Sequence, residues 1–261
     1  MIEPRPEIAL TPEEVQEILS LCGTRALLVG GQALALWTTI FEVSPPEEIA
    51  AAISSDADFI GSADVAQKLG RALKHWDFWK PKFDDATVQT AKLTRTVSEG
   101  IKQIDFLGGI AGLGTEAIQR RAVTLTLASG TDLRVLHPLD VLESRLQNLL
   151  LIPEKRNAGG IAQARLGIRI ANAFLSRLLD ESGETRIFFD AVERVAQIAA
   201  SKRLTSVMLD HNFDILAAVP IERIENSAFQ TKRWPRITRT VQEQQQKYQR
   251  LRARRRKATR V

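Results

Sequence analysis

The fold is decided by a short stretch near the N-terminus that reads Leu27-Leu28-Val29-Gly30-Gly31-Gln32-Ala33-Leu34. Its apolar start predicts a strand over residues 26–29, and the pattern after the glycines predicts a buried helix over residues 32–39. Two glycines at a strand-to-helix junction let the backbone approach a ligand closely, and the helix start presents N–H groups to a phosphate. Because a Gly-Gly pair is also common in simple turns, the junction alone leaves both interpretations open.

Alternating and helical patterns extend this plan along the chain. Thr11 followed by Pro12 and two acids predicts a helix that ends near Cys22. Strands are predicted over the ranges 54–60, 87–93, 100–107, 123–127 and 132–135, and a helix over 64–73. From Pro138 to about Ala199 the pattern is helical. We therefore expect an α+β fold with a mixed sheet and helices in residues 1–136, an α-helical domain in residues 137–231, and a basic, partly unstructured tail in residues 232–261.

The composition is that of an ordinary globular protein. The chain has 261 residues, of which 44% are hydrophobic and 26% charged, and this excludes collagen-like, coiled-coil and wholly disordered proteins. The single cysteine, Cys22, excludes a disulfide framework and a cysteine-based zinc site. Residues 1–6 do not resemble a signal peptide, and no stretch approaches the roughly 20 apolar residues of a membrane span. We expect a cytoplasmic protein without a membrane partner.

The charge is distributed unevenly. The formal net charge is +5. Residues 232–261 contain twelve basic residues and one acid, whereas the other 231 residues carry 24 basic and 30 acidic groups. The sequence therefore describes an acidic body with a basic C-terminal segment. Such a run of like charge is usually solvated, but it can also neutralise nucleic-acid phosphates.

A pair of acids follows at Asp56-Ala57-Asp58. Residues two apart in a strand point to the same face, so both carboxylates emerge together. Like charges this close repel unless a cation lies between them, and carboxylate oxygens suit Mg²⁺. A solvated strand end is the competing explanation.

A third acid, Asp105, lies in the apolar segment Ile104-Asp105-Phe106-Leu107. An acid in such a strand is rarely buried without a partner. A metal shared with the first two carboxylates would satisfy it. A salt bridge to Lys102 or to an arginine elsewhere is the alternative.

The order of these features, Gly-Gly, Asp-x-Asp and a later Asp, resembles the nucleotidyltransferase superfamily of the DNA polymerase β type. Within it, the closest likeness is to the bacterial nucleotidyltransferase-like toxins of the abortive-infection and type IV toxin–antitoxin group, whose Gly-Gly-x-Ala-Leu motif is matched by residues 30–34. These toxins also carry an Asp, four residues and a Lys at a helix start. Asp140 and Arg145 have that spacing here, with arginine in place of lysine.

The resemblance implies a nucleotidyltransferase core that transfers NMP from an NTP to a hydroxyl acceptor with Mg²⁺ or Mn²⁺. It implies Asp56, Asp58 and Asp105 as metal ligands and catalytic residues. Gly30 and Gly31 would hold the triphosphate, and Arg145 would offset phosphate charge and could pair with Asp140.

We expect the basic segment to contact a tRNA or other RNA acceptor through Arg252, Arg254, Arg255, Arg256 and Lys257. An antitoxin protein is a further expected partner. The main alternative is a nucleic-acid-binding protein on a nucleotidyltransferase-like scaffold that has lost catalysis, and it gains if Asp105 points away from the other two aspartates. A small-molecule nucleotidyltransferase, which needs a deep acidic cleft, is a third possibility.

Overall fold

The computed structural model describes residues 5–45, 56–82, 84–85 and 87–258, with side chains described as far as Arg254. The chain divides into two compact units, Met1–Ser144 and Arg145–Val261. The predicted start of the second strand, at residues 54 and 55, lies outside the described residues. So do the side chains of Arg255, Arg256 and Lys257.

The first unit combines a sheet with helices, and it contains every strand and helix predicted for residues 1–136 together with two short elements that were not predicted. In chain order its elements are α1 (Pro12–Cys22), β1 (Leu27–Val29), α2 (Gly30–Ile40), β2 (Ala57–Ile60), α3 (Ala63–Ala72), β3 (Asp77–Trp79), β4 (Gln89–Thr96), β5 (Ile101–Leu107), α4 (Thr115–Arg121), β6 (Val123–Thr126), β7 (Asp132–Val135) and the start of α5 (Pro138–Leu151). The sheet has seven strands in the order β3-β4-β5-β2-β1-β7-β6. Strand β2 runs parallel to β5 and β1 parallel to β7, and the other neighbours are antiparallel. The expected α+β class with a mixed sheet is confirmed.

Local signals explain where the helices begin. The hydroxyl of Thr11 accepts a hydrogen bond from the backbone of Glu14, whose carboxylate accepts one from the backbone of Thr11. This reciprocal pair satisfies two N–H groups that the first turn of α1 would otherwise leave unbonded. Ser62 caps α3, and the ring of His137 accepts a hydrogen bond from the backbone of Leu139 at the start of α5.

The central strands are buried on both faces, which places the core of the first unit around them. All three residues of β1 are buried. Phe59 and Phe106, from the neighbouring strands β2 and β5, stack with ring centroids 5.5 Å apart and are fully buried. This core holds β2 beside the second half of β5, and the two strands carry acidic residues at the paired positions Asp58 and Asp105.

Two elements were absent from the sequence-based prediction. Strand β3 is an exposed edge of three residues, and its pairing with β4 rather than an apolar pattern makes it a strand. Helix α4 has seven residues, of which only Ile118 is buried. Both are too short to show a clear period in the sequence.

The second unit is helical. Its α-helices are α6 (Ala158–Ser182), α7 (Arg186–Ala199), α8 (Thr205–Asp210) and α9 (Trp234–Ala258), which follow the end of α5. The segment predicted as a partly unstructured tail is helical as far as Ala258. One side of it packs into the unit through the buried Ile237 and Val241, and the ion pair between Arg252 and Asp210 ties down its later turns. None of the helices in the described part of the chain is both long and apolar enough to cross a membrane.

The lone cysteine is enclosed at the end of α1. Cys22 is 1% exposed, and burial raises the pKa of its thiol to about 12. Since the thiolate is the reactive form, we expect the folded protein not to react with a disulfide reagent at about pH 8. In denaturant, one thiol per chain should react with the same reagent. Rapid labelling of the native protein would contradict this burial.

Candidate metal centre

Three aspartates meet where two parallel strands lie side by side. In the register of β2 and β5, Asp58 is directly beside Asp105, and on its other side Asp58 is paired with Val29 of β1. Asp56 precedes β2 by one residue. The alternate residues Ala57 and Phe59 are fully buried, so the pleat turns Asp56 and Asp58 away from the core that holds Ala57 and Phe59.

The carboxylates of these residues converge. One oxygen from each of Asp56, Asp58 and Asp105 lies within 4.8 Å of the other two. Asp105 is buried, whereas Asp56 and Asp58 are half-buried. The cluster is therefore exposed to solvent at Asp56 and Asp58 and buried at Asp105. We call these three residues the aspartate triad.

Gly30 provides the space for one member of the aspartate triad. It is the first residue of α2 and has a φ of +65°, a conformation that favours glycine. A Cβ atom at this position would lie 1.9 Å from Oδ2 of Asp58 and 2.8 Å from its Cβ. Gly30 was predicted from the sequence to hold a triphosphate. The structure gives a second reason for glycine at this position, because the Asp58 side chain occupies the space that a Cβ atom would fill. Gly31, the next residue of α2, is buried.

Two amides clamp Asp105. Nε2 of Gln89 donates to Oδ1 of Asp105 at 2.9 Å, and Nε2 of Gln103 donates to Oδ2 at 2.6 Å. Lys92 donates to the amide oxygen of Gln103 at 3.0 Å, and its Nζ lies 3.8 Å from Oδ1 of Asp105. The carboxylate is held at both oxygens, and each oxygen keeps a further lone pair for another ligand.

The partner of Asp105 differs from the one considered in the sequence. Lys102 binds Glu14 instead, with its Nζ 2.7 Å from Oε2. The cation beside Asp105 is Lys92, which lies directly opposite it on β4. The turn between β4 and β5 sets this register in the structure, because Val97 and Gly100 bond each other across a two-residue loop. Counting back from that loop by the antiparallel rule brings residue 92 opposite residue 105.

The electrostatics of the triad favour a cation. Burial raises the pKa of Asp105, and the negative charge of Asp56 adds to that rise, while Lys92 and the hydrogen bond from Gln103 oppose it. The ammonium of Lys92 lies beside Asp105, 3.8 Å from Oδ1. The donor set of three carboxylates is made of oxygen atoms, which suit Mg²⁺ or Mn²⁺. The donor chemistry therefore fits the metal that the sequence resemblance implies.

The raised pKa of Asp105 gives metal binding a characteristic pH dependence. Protons compete with the metal for this carboxylate, so Mn²⁺ affinity should fall as the pH is lowered. The fall should begin at a higher pH than it would at a site whose aspartate has the ordinary pKa of about 3.9. In Lys92→Met the opposing charge is gone, and the midpoint should move to higher pH. The exposed Lys80→Met variant should behave like the parent. Calorimetric Mn²⁺ titrations across pH measure this, and identical profiles for all three proteins would contradict it.

The other predicted site residues have structural partners. Arg121 forms a two-point ion pair with the buried Asp140, with N–O distances of 2.8 and 2.9 Å. In the second unit, Nη1 of Arg145 donates to the amide oxygen of Gln163 at 3.1 Å. The catalytic role of Arg145 stays a prediction. Within the basic segment, Arg254 is exposed and Arg252 pairs with Asp210.

Sequence reasoning missed the residues of β4 that surround Asp105. Gln89 and Lys92 carry no motif, and their position depends on the pairing of β4 with β5. Comparison with known proteins adds no further residue, because no family model and no curated protein matches this chain.

Proposed function

We propose that this protein is a Mg²⁺-dependent nucleotidyltransferase of the toxin-like group, which transfers NMP from an NTP to a hydroxyl acceptor on RNA or protein. The observation that carries the proposal is the convergence of Asp56, Asp58 and Asp105 within 4.8 Å. This convergence favours an enzyme over an inactive scaffold, because it places Asp105 with Asp56 and Asp58 in one set of donor oxygens. The first turn of α2, at Gly30 and Gly31, supports the same conclusion, because its backbone N–H groups can donate to a phosphate.

Each group has a role that follows from its surroundings. The aspartate triad would hold Mg²⁺, which when bound neutralises phosphate charge and activates the attacking oxygen. The backbone N–H groups of Gly30 and Gly31, at the first turn of α2, would donate to the triphosphate. Gln89 and Gln103 keep the Asp105 carboxylate in one orientation, so that it need not reorganise when substrate binds.

The proposed reaction is a single displacement at the α-phosphorus. The acceptor hydroxyl oxygen forms a bond to the α-phosphorus as the bond to the bridging oxygen of pyrophosphate breaks. The hydroxyl proton would pass to Asp105, acting as general base. The products are the nucleotidylated acceptor and pyrophosphate.

The test is label transfer by the purified chain. Protein, α-labelled NTPs, and RNA and protein acceptors are incubated with Mg²⁺ or with EDTA, beside Asp58→Ala and the exposed control Asp77→Ala. We expect label in the acceptor only with Mg²⁺, in the parent and in Asp77→Ala. Equal labelling by Asp58→Ala, or labelling in EDTA, would refute the proposal. Mass spectrometry of co-purified RNA and protein for an added nucleotide identifies the acceptor.

A further inference from the structure

Five of the six exposed cations whose side chains are described in helix α9 lie on one side of it. At 100° per residue, these five fall within a strip about 80° wide and about 27 Å long on an ideal helix. We call this set the basic stripe, and it consists of Arg236, Arg239, Lys247, Arg250 and Arg254. Glu243, the single acid of α9, lies in the same strip, so the strip has a net charge of about +4.

The opposite side of α9 packs within its own unit. Ile237 and Val241 are buried there, and the aromatic residues of the helix, Trp234 and Tyr248, lie on that side and are half-buried. The helix is therefore held in place by its apolar face while the basic stripe faces solvent. Because the helix is already formed, a ligand bound to the stripe would not have to order it.

The cations of the stripe differ from their neighbours in having no acid partner among the described residues. Arg233 pairs with Glu193 at 2.5 Å, and Arg252 pairs with Asp210. Both of these lie outside the strip. The ion pairs of the described chain thus tie down the flanking arginines and leave the stripe to an external anion.

We propose that the basic stripe binds the phosphate backbone of double-stranded nucleic acid. Within the stripe, neighbouring cations are three or four residues apart except across Glu243, which corresponds to about 4.5–6 Å of rise, so the stripe can neutralise several phosphates of one duplex. Single strands are usually bound by stacking on exposed aromatic rings, and the stripe has none. A membrane helix needs an apolar face beside its cations, whereas the exposed side of α9 offers Leu251 as its one large apolar residue.

An acidic protein is a weaker candidate. Protein interfaces derive most of their affinity from apolar and aromatic residues seated in pockets, and the stripe presents neither.

The stripe also changes the residue assignment made from the sequence. Arg254 belongs to the stripe, and Arg236, Arg239, Lys247 and Arg250 join it in the binding set. Arg252 lies outside the stripe and pairs with Asp210, and nucleic-acid contacts of Arg252, Arg255, Arg256 and Lys257 stay predictions.

The test compares two triple variants of the full chain with equal charge loss. Arg239→Gln/Lys247→Gln/Arg250→Gln removes three stripe cations, and Arg177→Gln/Arg186→Gln/Lys202→Gln removes three exposed cations elsewhere in the unit. Binding of about 20-base-pair RNA and DNA duplexes is followed by fluorescence anisotropy between about 50 and 200 mM salt. The stripe variant should bind roughly tenfold or more weakly and lower the slope of log K against log salt by about 2 to 3. The control variant should retain parental binding and slope.

Several outcomes would overturn the proposal. Equal loss in both triple variants would show general charge attraction, and unchanged binding in the stripe variant would exclude the stripe. Tighter binding to a single strand, to polyglutamate or to vesicles of anionic lipid would assign the surface to another partner. Circular dichroism confirms that both variants keep the parental helix content. Asp58→Ala should bind the duplexes as tightly as the parent does. Failure of the duplex-binding proposal can therefore be distinguished from failure of the proposed enzyme activity.

Discussion

Gly30→Ala is expected to weaken divalent-metal binding by about 10- to 100-fold, although it removes no carboxylate. The added Cβ would lie 1.9 Å from Oδ2 of Asp58, so the Asp58 side chain must move out of the aspartate triad. The positive φ of +65° adds backbone strain of about 1–2 kcal/mol for any residue with a Cβ. We therefore expect lower stability together with the loss of metal affinity and of label transfer.

Gly130→Ala separates these two effects. Gly130 also has a positive φ, of +80°, but a Cβ there meets nothing within 4 Å. This variant should lose about 1 kcal/mol of stability and keep its Mn²⁺ affinity. Isothermal titration with Mn²⁺ and chemical denaturation of both variants provide the measurements. Parental metal affinity in Gly30→Ala would mean that the position of Asp58 does not matter for the site.

Arg121→Ala is expected to lower the free energy of unfolding by about 3 kcal/mol. Its guanidinium makes two hydrogen bonds to the Asp140 carboxylate, whose side chain is 1% exposed. Removing the arginine leaves a buried negative charge without its two-point partner. The estimate is at the low end of the range for buried pairs because the Arg121 side chain is 35% exposed.

Two variants test the geometry of this pair. Arg121→Lys keeps the charge but loses the planar two-point contact, so it should fall between the parent and Arg121→Ala. Arg120→Ala, which removes an exposed neighbour paired with Glu116 at 3.8 Å, should change stability by less than about 0.5 kcal/mol. Denaturant unfolding of the three variants measures these differences. A loss under 1 kcal/mol in Arg121→Ala would show that other groups support Asp140.

Periodic segments were predictable because their burial is repeated along the chain. The capping pattern at Thr11 and the proline after it predicted α1, and the residue patterns predicted strands at residues 87–93 and 100–107, where β4 and β5 lie. The basic C-terminal segment was predicted less well. Its charge indicated a partly unstructured tail, yet Ile237 and Val241 are buried and make one face of α9 part of the second unit.

The aspartate triad shows the same division within the site. Spacing alone placed Asp56 and Asp58 on one face of a strand, since side chains in a strand alternate with a period of two. Nothing local relates Asp105 to them across nearly fifty residues of chain. Their meeting depends on the parallel pairing of β2 with β5, which aligns Asp58 with Asp105.

The sequence by itself determined the fold class, the strand-to-helix junction at the two glycines, and the placement of Asp56 and Asp58 on one face of a strand. These are local properties, set by side-chain periodicity and backbone preference. Only the tertiary structure decided that Lys92, Gln89 and Gln103 surround Asp105, that Gly30 makes room for Asp58, and that the stripe of α9 faces solvent. Each of these depends on strand register or on which helix face is buried, and long-range packing fixes both.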